Sequence, residues 1–448
     1  MIALKVSKLI QVIDGKIKQK QLEEDEEVFG FSIDSRTLRK NEIFIAIQGE
    51  NFDGSNYIDV AIKKGSSWII TSSKNHKSNR CIYVKNTKET LCKIASYLVG
   101  EVSPKIIAIT GSNGKTTTKE MVANILYQHY PKNEILVTKG NLNNDIGLPL
   151  TLFNLKKNHT IVVLEMGMNH QDEITKLCKI APPDIAVITN IGEAHLENFS
   201  SKNGIAKAKK EILLGAKKNG IAILPRDDVY FNYLKSDCLY LRCISFGINK
   251  NSNIRLDLSS KVLTVDEEKI NIESSLLGKE NLMNMAAAVS VANALELPTE
   301  TIIKGMKTID SIEGRLEVKI TASNIKIIDD TYNSNPSSMM MAIDVLDQFK
   351  QKKILIVGDM AELGLLSKKY HTDIGHYILE KNIDLVMGIG NMTKHLIDVL
   401  GTKGQWYPSK EDLLNETNKI LKKDTVVLVK GSRFMRMEEI VDGINEQH

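Results

Sequence analysis

Hydrophobic runs of strand length recur in the middle of the chain. KIIAIT, TIVVLEMG, DIAVITNIG and GIAILP follow one another from Lys105 onward, and helical stretches separate most of them. Near-continuous apolar strands are typical of a parallel sheet that helices cover on both faces. We therefore predict an α/β domain with a mainly parallel sheet over residues 99–310.

A second series of the same kind begins after about Ser311. It contains IKIIDDTY, KKILIVGDM, IDLVMGIGN and TVVLVKGS, with helical patterns such as SMMMAIDVLDQF between them. This series predicts a second α/β domain over residues 311–448. Residues 1–98 mix short strands and helices, and they predict a small mixed α/β domain. Three domains in a row leave clefts between them, where substrates tend to bind.

Composition and charge make two classes of function unexpected, namely nucleic-acid binding and membrane spanning. The net charge of +4 is small and Lys and Arg form no dense run, so nucleic-acid binding is not expected. No window of about 18 consecutive apolar residues occurs, so we expect no transmembrane helix. The five cysteines form no C-x-x-C pair, and the N-terminus offers no clean apolar core. These features predict reduced thiols and a cytoplasmic location.

A glycine-rich loop joins the first strand of the first series to a helix. KIIAIT is followed by GSNGKTTT and then by the helical pattern KEMVANILYQHY. Glycines let backbone N–H groups turn towards phosphates, and the helix N-terminus adds a favourable partial charge. We predict a nucleoside triphosphate site in which Lys115 reaches the terminal phosphates and the Thr116 hydroxyl holds Mg²⁺. The predicted contacts are Thr110, Gly111, Ser112, Asn113, Gly114, Lys115, Thr116 and Thr117.

The loop departs from the strict G-x-x-x-x-G-K-[ST] pattern, because Ile109 stands where that pattern has its first glycine. Gly111 and Gly114 give a shorter G-x-x-G-K-T loop instead. The alternative is a glycine-rich turn without a ligand. We favour the phosphate site because Gly, Lys and Thr all fall where the chemistry requires them.

Two further strands lead to candidate metal ligands. TIVVLEMG places Glu165 after an apolar run, and DIAVITNIG leads to His195. Ligands bind beyond the carboxyl ends of the strands in such sheets, so both side chains are expected near the phosphate loop. A carboxylate and an imidazole could hold a divalent ion there. For His195 the alternative is a structural histidine, and for GNLNND, which contains Asn143, it is an ordinary loop.

Charged residues also end the strands of the second series. Asp330, Asp359, Lys430 and Arg433 all stand at or just after an apolar run. They suggest that the second α/β domain closes over the first. The alternatives for each residue are a helix cap and a surface ion pair.

An ordered set of motifs resembles the Mur ligases and, within them, the members that add D-Ala-D-Ala. It extends from about Ser32 to the end of the chain and comprises DSRTLRKNEIFIAIQGENFDG, ITGSNGKTTTKE, GNLNNDIGLPLTL, LEMGMNHQDEI, TNIGEAHLENF, AKAKKEIL, NLMNMAAA, EGRLE, DDTYNSNPSSM, GDMAELG and KGSRFMRME. The last two motifs resemble these members rather than their siblings. The resemblance implies a UDP-sugar-binding N-terminal domain, a central P-loop domain and a C-terminal Rossmann-like domain.

The resemblance also implies the chemistry. ATP, with Mg²⁺, would phosphorylate the terminal carboxylate of UDP-MurNAc-tripeptide. The amine of D-Ala-D-Ala would then attack the acyl phosphate, giving the UDP-MurNAc-pentapeptide precursor of peptidoglycan. A carboxylate is a poor electrophile until it is phosphorylated, and cations must stabilise the moving phosphoryl group. We expect the enzyme to be a monomer.

The matching motifs imply roles for particular residues. Glu165 and His195 resemble ligands of a second Mg²⁺. Lys209 matches a lysine that is carbamylated in sibling enzymes, with Lys207 and Lys210 as alternatives for that position. The other implied contacts are Asn281 to adenine, Arg315 and Asp330 to ribose and phosphates, Ser35 and Arg36 to the UDP-sugar, and Asn143, Asp359, Lys430 and Arg433 to the substrates. Glu280 departs from the family, which usually has His before this Asn.

Three rival functions stay open at this stage. A sibling ligase that adds a single amino acid and the folate polyglutamate ligase share the P-loop and metal motifs, although the folate enzyme should not need the DSR-containing first domain. A P-loop nucleotide switch belongs to another class and would show no amine-dependent turnover. The sequence also leaves open whether the third peptide residue is lysine or diaminopimelate.

Overall fold

A computed structural model describes residues 2–17, 26–49, 52–76, 78–193, 197–199, 201–274, 276–309 and 311–448. Its first part combines short strands with three helices. The elements are β1 (Ala3–Lys5), α1 (Val6–Val12), β2 (Glu27–Phe29), β3 (Phe31–Ser32), β4 (Ile43–Ile45), α2 (Ile58–Lys63), β5 (Ile69–Thr71), β6 (Cys81–Tyr83) and α3 (Thr87–Val102). β1 and β2 pair antiparallel, whereas β3, β4, β5 and β6 form a parallel sheet in that order.

The middle of the chain forms a large sheet with helices on both faces. Its elements are β7 (Lys105–Thr110), α4 (Lys115–Leu126), β8 (Ile135–Val137), α5 (Gly147–Leu152), β9 (Ile161–Glu165), α6 (Glu173–Ile180), β10 (Ile185–Ile188), α7 (Lys202–Leu214), β11 (Ile221–Pro225), α8 (Phe231–Lys235), β12 (Arg242–Gly247), β13 (Ile254–Asp257), β14 (Val262–Val265), β15 (Glu268–Asn271), α9 (Lys279–Ala294) and α10 (Thr299–Lys307). The strand order is β15-β14-β13-β12-β11-β10-β7-β9-β8. Strands β7 to β12 pair parallel, as predicted, and β13 joins β14 and β15 in an antiparallel extension.

The last part of the chain forms a second mainly parallel sheet. Its elements are β16 (Glu317–Ile320), β17 (Lys326–Asp330), α11 (Pro336–Asp347), β18 (Lys352–Val357), α12 (Ser367–Leu379), β19 (Leu385–Ile389), α13 (Thr393–Leu400), β20 (Gly404–Tyr407), α14 (Lys410–Ile420), β21 (Thr425–Lys430) and α15 (Glu438–Gln447). The order is β16-β17-β21-β18-β19-β20, and β16 alone in this sheet pairs antiparallel. The predicted α/β class with mainly parallel sheets is confirmed. Short 3₁₀ segments occur at Gly54–Tyr57, Lys132–Glu134, Gly364–Leu366, Gly401–Lys403 and Arg433–Met435.

The N-terminal part shares a hydrophobic core with the central sheet, whereas the C-terminal sheet has cores of its own. One continuous core runs from Leu4 through Val99 in the first part to Cys238 in the central sheet, and Phe31 packs on Phe153 with ring centroids 4.9 Å apart. The C-terminal sheet instead has its own core on each face. Helix α3 runs through residue 98, so the predicted first boundary falls inside its last turn, and the three-domain division stays a prediction.

Strand order also determines where functional groups gather. β7 lies between β10 and β9, so the ends of three neighbouring strands place Thr110, Glu165 and Thr189 along one edge of the central sheet. Helix α9, which contains the NLMNMAAA motif, packs against α4 and against strands β11, β12 and β13. Among the described residues, no helix is both long and apolar enough to cross a membrane.

Candidate active site

The glycine-rich loop has the backbone that its sequence predicts. Gly114 has φ +79°, a left-handed conformation that favours glycine, and a Cβ there would lie 2.2 Å from Asn284 Oδ1. Lys115 begins helix α4, and its Nζ donates to the carbonyl oxygen of Gly111 at 2.8 Å. Burial lowers the pKa of Lys115, an effect that the Glu165 carboxylate opposes. The cation is thus folded back over the loop that it would use to hold phosphate.

Glu165 is buried beside the start of the same helix. It is 2% exposed, and its Oε2 accepts a 2.7 Å hydrogen bond from the Thr116 hydroxyl. Its Oε1 accepts from Asn143 Nδ2 at 2.7 Å, and its backbone N–H donates to Thr138 Oγ1 at 3.1 Å. A carboxylate and a hydroxyl oxygen side by side are ligands that suit Mg²⁺. This pair therefore fits the predicted metal position.

His195 lies outside the described residues, so its predicted convergence with Glu165 stays a prediction. Within the described part of the chain, no group of three or more His, Cys, Asp or Glu side chains comes close enough together to hold a metal ion.

Side chains from the C-terminal sheet face the phosphate loop across a cavity. Arg315 Nη2 donates to Thr116 Oγ1 at 2.9 Å, and its guanidinium carbon lies 4.1 Å from the centre of the Tyr332 ring. Arg315 therefore bridges the two sheets directly at the residue expected to hold the metal. The stacked tyrosine fixes the plane of the guanidinium by a cation–π contact.

The cavity between the two sheets has a volume of about 360 Å³. It brings together most of the predicted site. The predicted residues in its walls are Ser112, Asn113, Gly114, Lys115, Thr116, Thr117, Asn143, Glu165, Asn281, Arg315, Asp330, Lys430 and Arg433. Asn281 is fixed by a 2.8 Å hydrogen bond from its Nδ2 to the Leu277 carbonyl oxygen. Glu280 also lines the cavity, and burial raises its pKa.

Two predicted loop contacts, Thr110 and Gly111, are not among the residues that line this cavity. Thr110 ends β7, and its buried hydroxyl has no hydrogen-bond partner among the described residues. Gly111 packs so closely that a Cβ would lie 1.8 Å from Thr189 Oγ1. Both residues therefore shape the loop from beneath.

Two of the predicted substrate contacts have other partners. Asp359 lies outside the cavity walls, and its Oδ1 accepts 2.7 Å hydrogen bonds from both the backbone N–H and the hydroxyl of Thr393 at the start of α13. The Asp359 carboxylate thus binds the start of α13 in this structure, and its contact with substrate stays a prediction. Lys430, also an implied substrate contact, is 1% exposed and forms a 2.6 Å ion pair with Asp330.

Arg433, another implied substrate contact, lies in the wall of the cavity. Its side chain is 60% exposed and pairs with Glu438 at 3.0 Å. An exposed arginine can exchange such a surface partner for a carboxylate ligand at little cost. Arg433 is therefore available to an incoming anion, whereas Lys430 is committed to Asp330.

Lys209 lies on α7, behind the phosphate loop. It is 1% exposed, and burial, together with the nearby positive charge of Lys115, shifts its pKa well below the usual value for lysine. Of the two alternatives, Lys207 is exposed, and Lys210 forms a 2.7 Å ion pair with Asp237.

A second cavity, of about 350 Å³, lies in the N-terminal part. Ser35 and Arg36 line it together with Phe52 and Tyr57, whose rings stack at 5.4 Å between centroids. Arg36 binds Asp34 at 2.7 Å and lowers the pKa of that carboxyl to about 2. An arginine beside an exposed aromatic pair suits a ligand with a planar ring and an anionic group.

Several residues at the main site were missed from the sequence. Thr138 supports Glu165, Tyr332 stacks on Arg315, and Asn190, Asn335 and Ser337 bind the phosphate loop. The signal was available in TNIG and NSNPSS, where polar residues follow apolar strands.

The chain is a P-loop protein whose nucleotide site is closed by a further α/β unit. This class follows from the strand order of the central sheet, from the glycine-rich loop before helix α4, and from the charged side chains of the C-terminal unit that face this loop. Three family models match the chain in succession. They are the Mur ligase family catalytic domain over residues 27–108, the Mur ligase middle domain over 109–292, and the Mur ligase glutamate ligase domain over 314–433. The chain belongs to the Mur ligase family.

Relatives of known name cover 94% or more of the chain. The UDP-N-acetylmuramoyl-tripeptide--D-alanyl-D-alanine ligase of Buchnera aphidicola subsp. Baizongia pistaciae is 38% identical, over 94% of this chain and 93% of its own length. The crystal structure of MurF from Acinetobacter baumannii has a TM-score of 0.92 at 31% identity and covers 100% of this chain and 99% of its own. MurF ligase from Thermotoga maritima, in complex with ADP, has a TM-score of 0.84 at 30% identity and covers 94% and 98%.

Proposed function

We propose that this chain is an ATP-dependent ligase that joins D-Ala-D-Ala to UDP-MurNAc-tripeptide in peptidoglycan synthesis, releasing ADP and phosphate. The observation that carries the proposal is the meeting of Lys115, Thr116 and Glu165 with Arg315 in one cavity between two sheets. A phosphate loop covered by cations from a second unit suits phosphoryl transfer to a bound acceptor. The names of the relatives supply the identity of the two substrates.

ATP fits the cavity with its phosphates on the loop and its base towards Asn281. The N-terminus of α4 and Lys115 would bind the phosphates. Asn281 and Glu280 line the same cavity, where an amide and a carboxyl group can bond the edge of adenine. The ADP complex of the Thermotoga maritima relative supports the same nucleotide here.

Thr116 and Glu165 are the residues that would hold Mg²⁺, with His195 as a further predicted ligand. A bound Mg²⁺ would supply positive charge to the phosphate oxygens during transfer. The chain itself contributes Arg315, whose bond to Thr116 places a second cation beside the same oxygens. Asn143 orients the Glu165 carboxylate from the side opposite Thr116.

The reaction proceeds in two steps. An oxygen of the peptide carboxylate attacks the γ-phosphorus of ATP, the bond to ADP breaks, and an acyl phosphate forms. The amine of D-Ala-D-Ala then attacks the carbonyl carbon, loses a proton, and displaces phosphate. Lys115 and Arg315 stabilise the charge that moves in the first step. Arg433, at the exposed rim, would bind the carboxylate of the dipeptide so that its amine points at the acyl phosphate.

The second cavity would hold the UDP-sugar. Its stacked Phe52 and Tyr57 offer an apolar face to the uracil ring, and Ser35 and Arg36 offer polar groups. For this contact, Arg36 would leave Asp34, an exchange that is easy because the pair is exposed. Every group named in the proposal comes from one chain, so a monomer suffices, and the nucleotide substrates are consistent with a cytoplasmic enzyme.

Lys209 is proposed to be carbamylated. In its neutral form the buried Lys209 amine can attack CO₂, forming an N–C bond and releasing a proton, and the resulting carbamate would add an anion near Lys115. Lys209→Ala should therefore be slow, and small carboxylates added to the buffer should restore part of the rate. Lys207→Ala is the control, because Lys207 is exposed on the same helix. Rescue of the Lys207 variant in place of the Lys209 variant would reject the assignment.

The deciding experiment measures phosphate release by the purified protein with Mg²⁺ and ATP. Each UDP-MurNAc-peptide precursor is supplied in turn, with D-Ala-D-Ala or a single amino acid. We expect turnover only with a tripeptide and D-Ala-D-Ala, and comparing lysine with diaminopimelate tripeptides identifies the third residue. Faster turnover of a shorter precursor with a single amino acid would make the chain a sibling ligase. ATP hydrolysis without any dependence on an amine would favour a nucleotide switch.

A further inference from the structure

The side chain of Asn113 in the phosphate loop is bound by residues of the other sheet. Its Nδ2 donates to Ser337 Oγ at 2.8 Å, and its Oδ1 accepts from Asn335 Nδ2 at 2.8 Å. We call this pair of bonds the Asn113 clasp. Both partners lie at the start of α11, in the C-terminal unit, more than 220 residues away along the chain. One amide therefore uses its donor and its acceptor across the cavity.

The backbone of the same residue is bound from the central sheet. Its N–H donates to Asn190 Oδ1 at 3.0 Å, and its carbonyl oxygen accepts from Thr189 Oγ1 at 2.6 Å and Asn190 Nδ2 at 2.9 Å. Asn113 thus has its backbone tied to one sheet and its side chain tied to the other. A rotation of the C-terminal sheet would act directly on the middle of the loop.

The clasp is preformed on the C-terminal side. Asn335 caps α11, and its Oδ1 accepts from the backbone N–H of Ser338 at 2.8 Å and from the Ser337 hydroxyl at 3.0 Å. Pro336 follows as the first helical residue and restricts the backbone. With its oxygen used for the cap, only the Nδ2 of Asn335 points at the loop. Because this donor is already oriented towards the loop, it can bind the Asn113 side-chain oxygen without any rearrangement of Asn335.

We propose that Asn335 and Ser337 are positioning residues that hold the phosphate loop, through Asn113, in the shape that receives the triphosphate when the C-terminal sheet is closed. The inference rests on the proposed ATP-dependent function. Because closure and nucleotide binding then stabilise the same loop shape, each strengthens the other by the same factor. Opening of the C-terminal sheet would release the loop and with it the product ADP.

Ser337→Ala tests the clasp without touching the nucleotide. Ser337 does not line the cavity, so its hydroxyl acts on the nucleotide only through its bonds to Asn113 and Asn335. We expect the Kd of a non-hydrolysable ATP analogue to rise about 3- to 10-fold, the effect of losing one net hydrogen bond. We also expect faster amide hydrogen exchange across residues 111–116 in the nucleotide-free protein.

Ser409→Ala is the matched control. Ser409 caps α14 in the same sheet unit and accepts from Asp412 N–H, away from the cavity. It removes a serine hydroxyl at a helix N-terminus and should lower stability without changing the Kd or the exchange of the loop. A change in loop exchange equal to that of Ser337→Ala would overturn the proposal, because general loosening would then explain both.

A double-mutant cycle tests whether Ser337 acts on the phosphate loop through Asn113 or independently of it. In an Asn113→Ala background the Ser337→Ala change should have no further effect on loop exchange or on Kd. Additive effects, or unchanged loop exchange in Ser337→Ala alone, would overturn the proposal. Loop exchange is measured without nucleotide, so it decides the clasp even if the wild-type protein binds no ATP analogue, a result that would reject the proposed function instead.

Discussion

The strand ends of the two mainly parallel sheets carry similar polar residues but use them differently. In the central sheet, Lys115 and Glu165 face the cavity and are held by neutral groups, namely a loop carbonyl, a hydroxyl and an amide. In the C-terminal sheet, Lys430 pairs with Asp330, and Asp359 caps α13. The charges of the first set are held by neutral groups and can therefore bind a ligand. The charges of the second set bind other residues of the C-terminal unit and so stabilise its structure. Position at a strand end therefore predicts location but not role.

The largest effect is expected at the central sheet, on rate and not on stability. Lys115→Ala should lower phosphate release at least about 100-fold, because a cation on the transferring phosphoryl group is lost. The melting temperature should stay close to that of the wild type, since among the described residues the side chain bonds to carbonyls of its own loop. Lys105→Met, on the exposed start of the preceding strand, is the control. Normal turnover in a folded Lys115→Ala protein would show that the charge of Lys115 is not used to bind a ligand, and the proposed difference between the two sheets would then be wrong.

Glu165→Gln should weaken the contribution of Mg²⁺ to nucleotide binding by at least about tenfold, because a neutral amide replaces a ligand carboxylate. The measurement is calorimetric titration of ADP with Mg²⁺ and, separately, with EDTA. Glu268→Gln is the control, because this carboxylate lies on β15 and accepts from the Thr299 hydroxyl, and neither residue lines the cavity. If both variants respond to Mg²⁺ like the wild type, Glu165 is structural.

At the C-terminal sheet the effect should fall on stability. Lys430→Met leaves the buried Asp330 carboxylate without its cation and should cost about 3 kcal/mol in urea unfolding. Adding Asp330→Asn should recover part of that loss, since both charges are then gone. Lys419→Met, which removes an exposed pair with Glu416, should change little. A Lys430→Met protein as stable as the wild type would show that the pair is not architectural.

The smallest effect is expected at the exposed pair in the N-terminal part. Asp34 has a pKa of about 2, below its ordinary 3.8, mainly because Arg36 bonds to it. A lowered carboxyl pKa gives a stabilising contribution that is present above about pH 4 and is lost as the pH falls towards 2. Arg36→Ala should raise the pKa of Asp34 towards 3.8 in an NMR titration, with almost no change in stability at neutral pH. An unmoved pKa would mean that the turn, and not Arg36, holds it low.

The sequence predicted the sheets and the phosphate loop because apolar runs and glycine spacing are local signals. Thr110 to Thr117 could be placed from one stretch of chain. The binding partners of the charged residues at the strand ends could not be predicted, because they depend on which strands and helices lie next to one another in the fold. Lys430 meets Asp330 only because β21 lies beside β17, 100 residues away along the chain. Asp359 finds Thr393 only because the end of β18 lies beside the start of α13.

The continuous core between the N-terminal part and the central sheet has a consequence for cooperativity. Leu4, Val99 and Cys238 belong to one apolar cluster, so the N-terminal part and the face of the central sheet that packs on it gain or lose this packing as a single unit. The C-terminal sheet, with a separate core on each face, can open as an independent cooperative unit. A ligand that spans the cavity would join these two units thermodynamically, so that the bound enzyme resists partial unfolding more than either unit does alone.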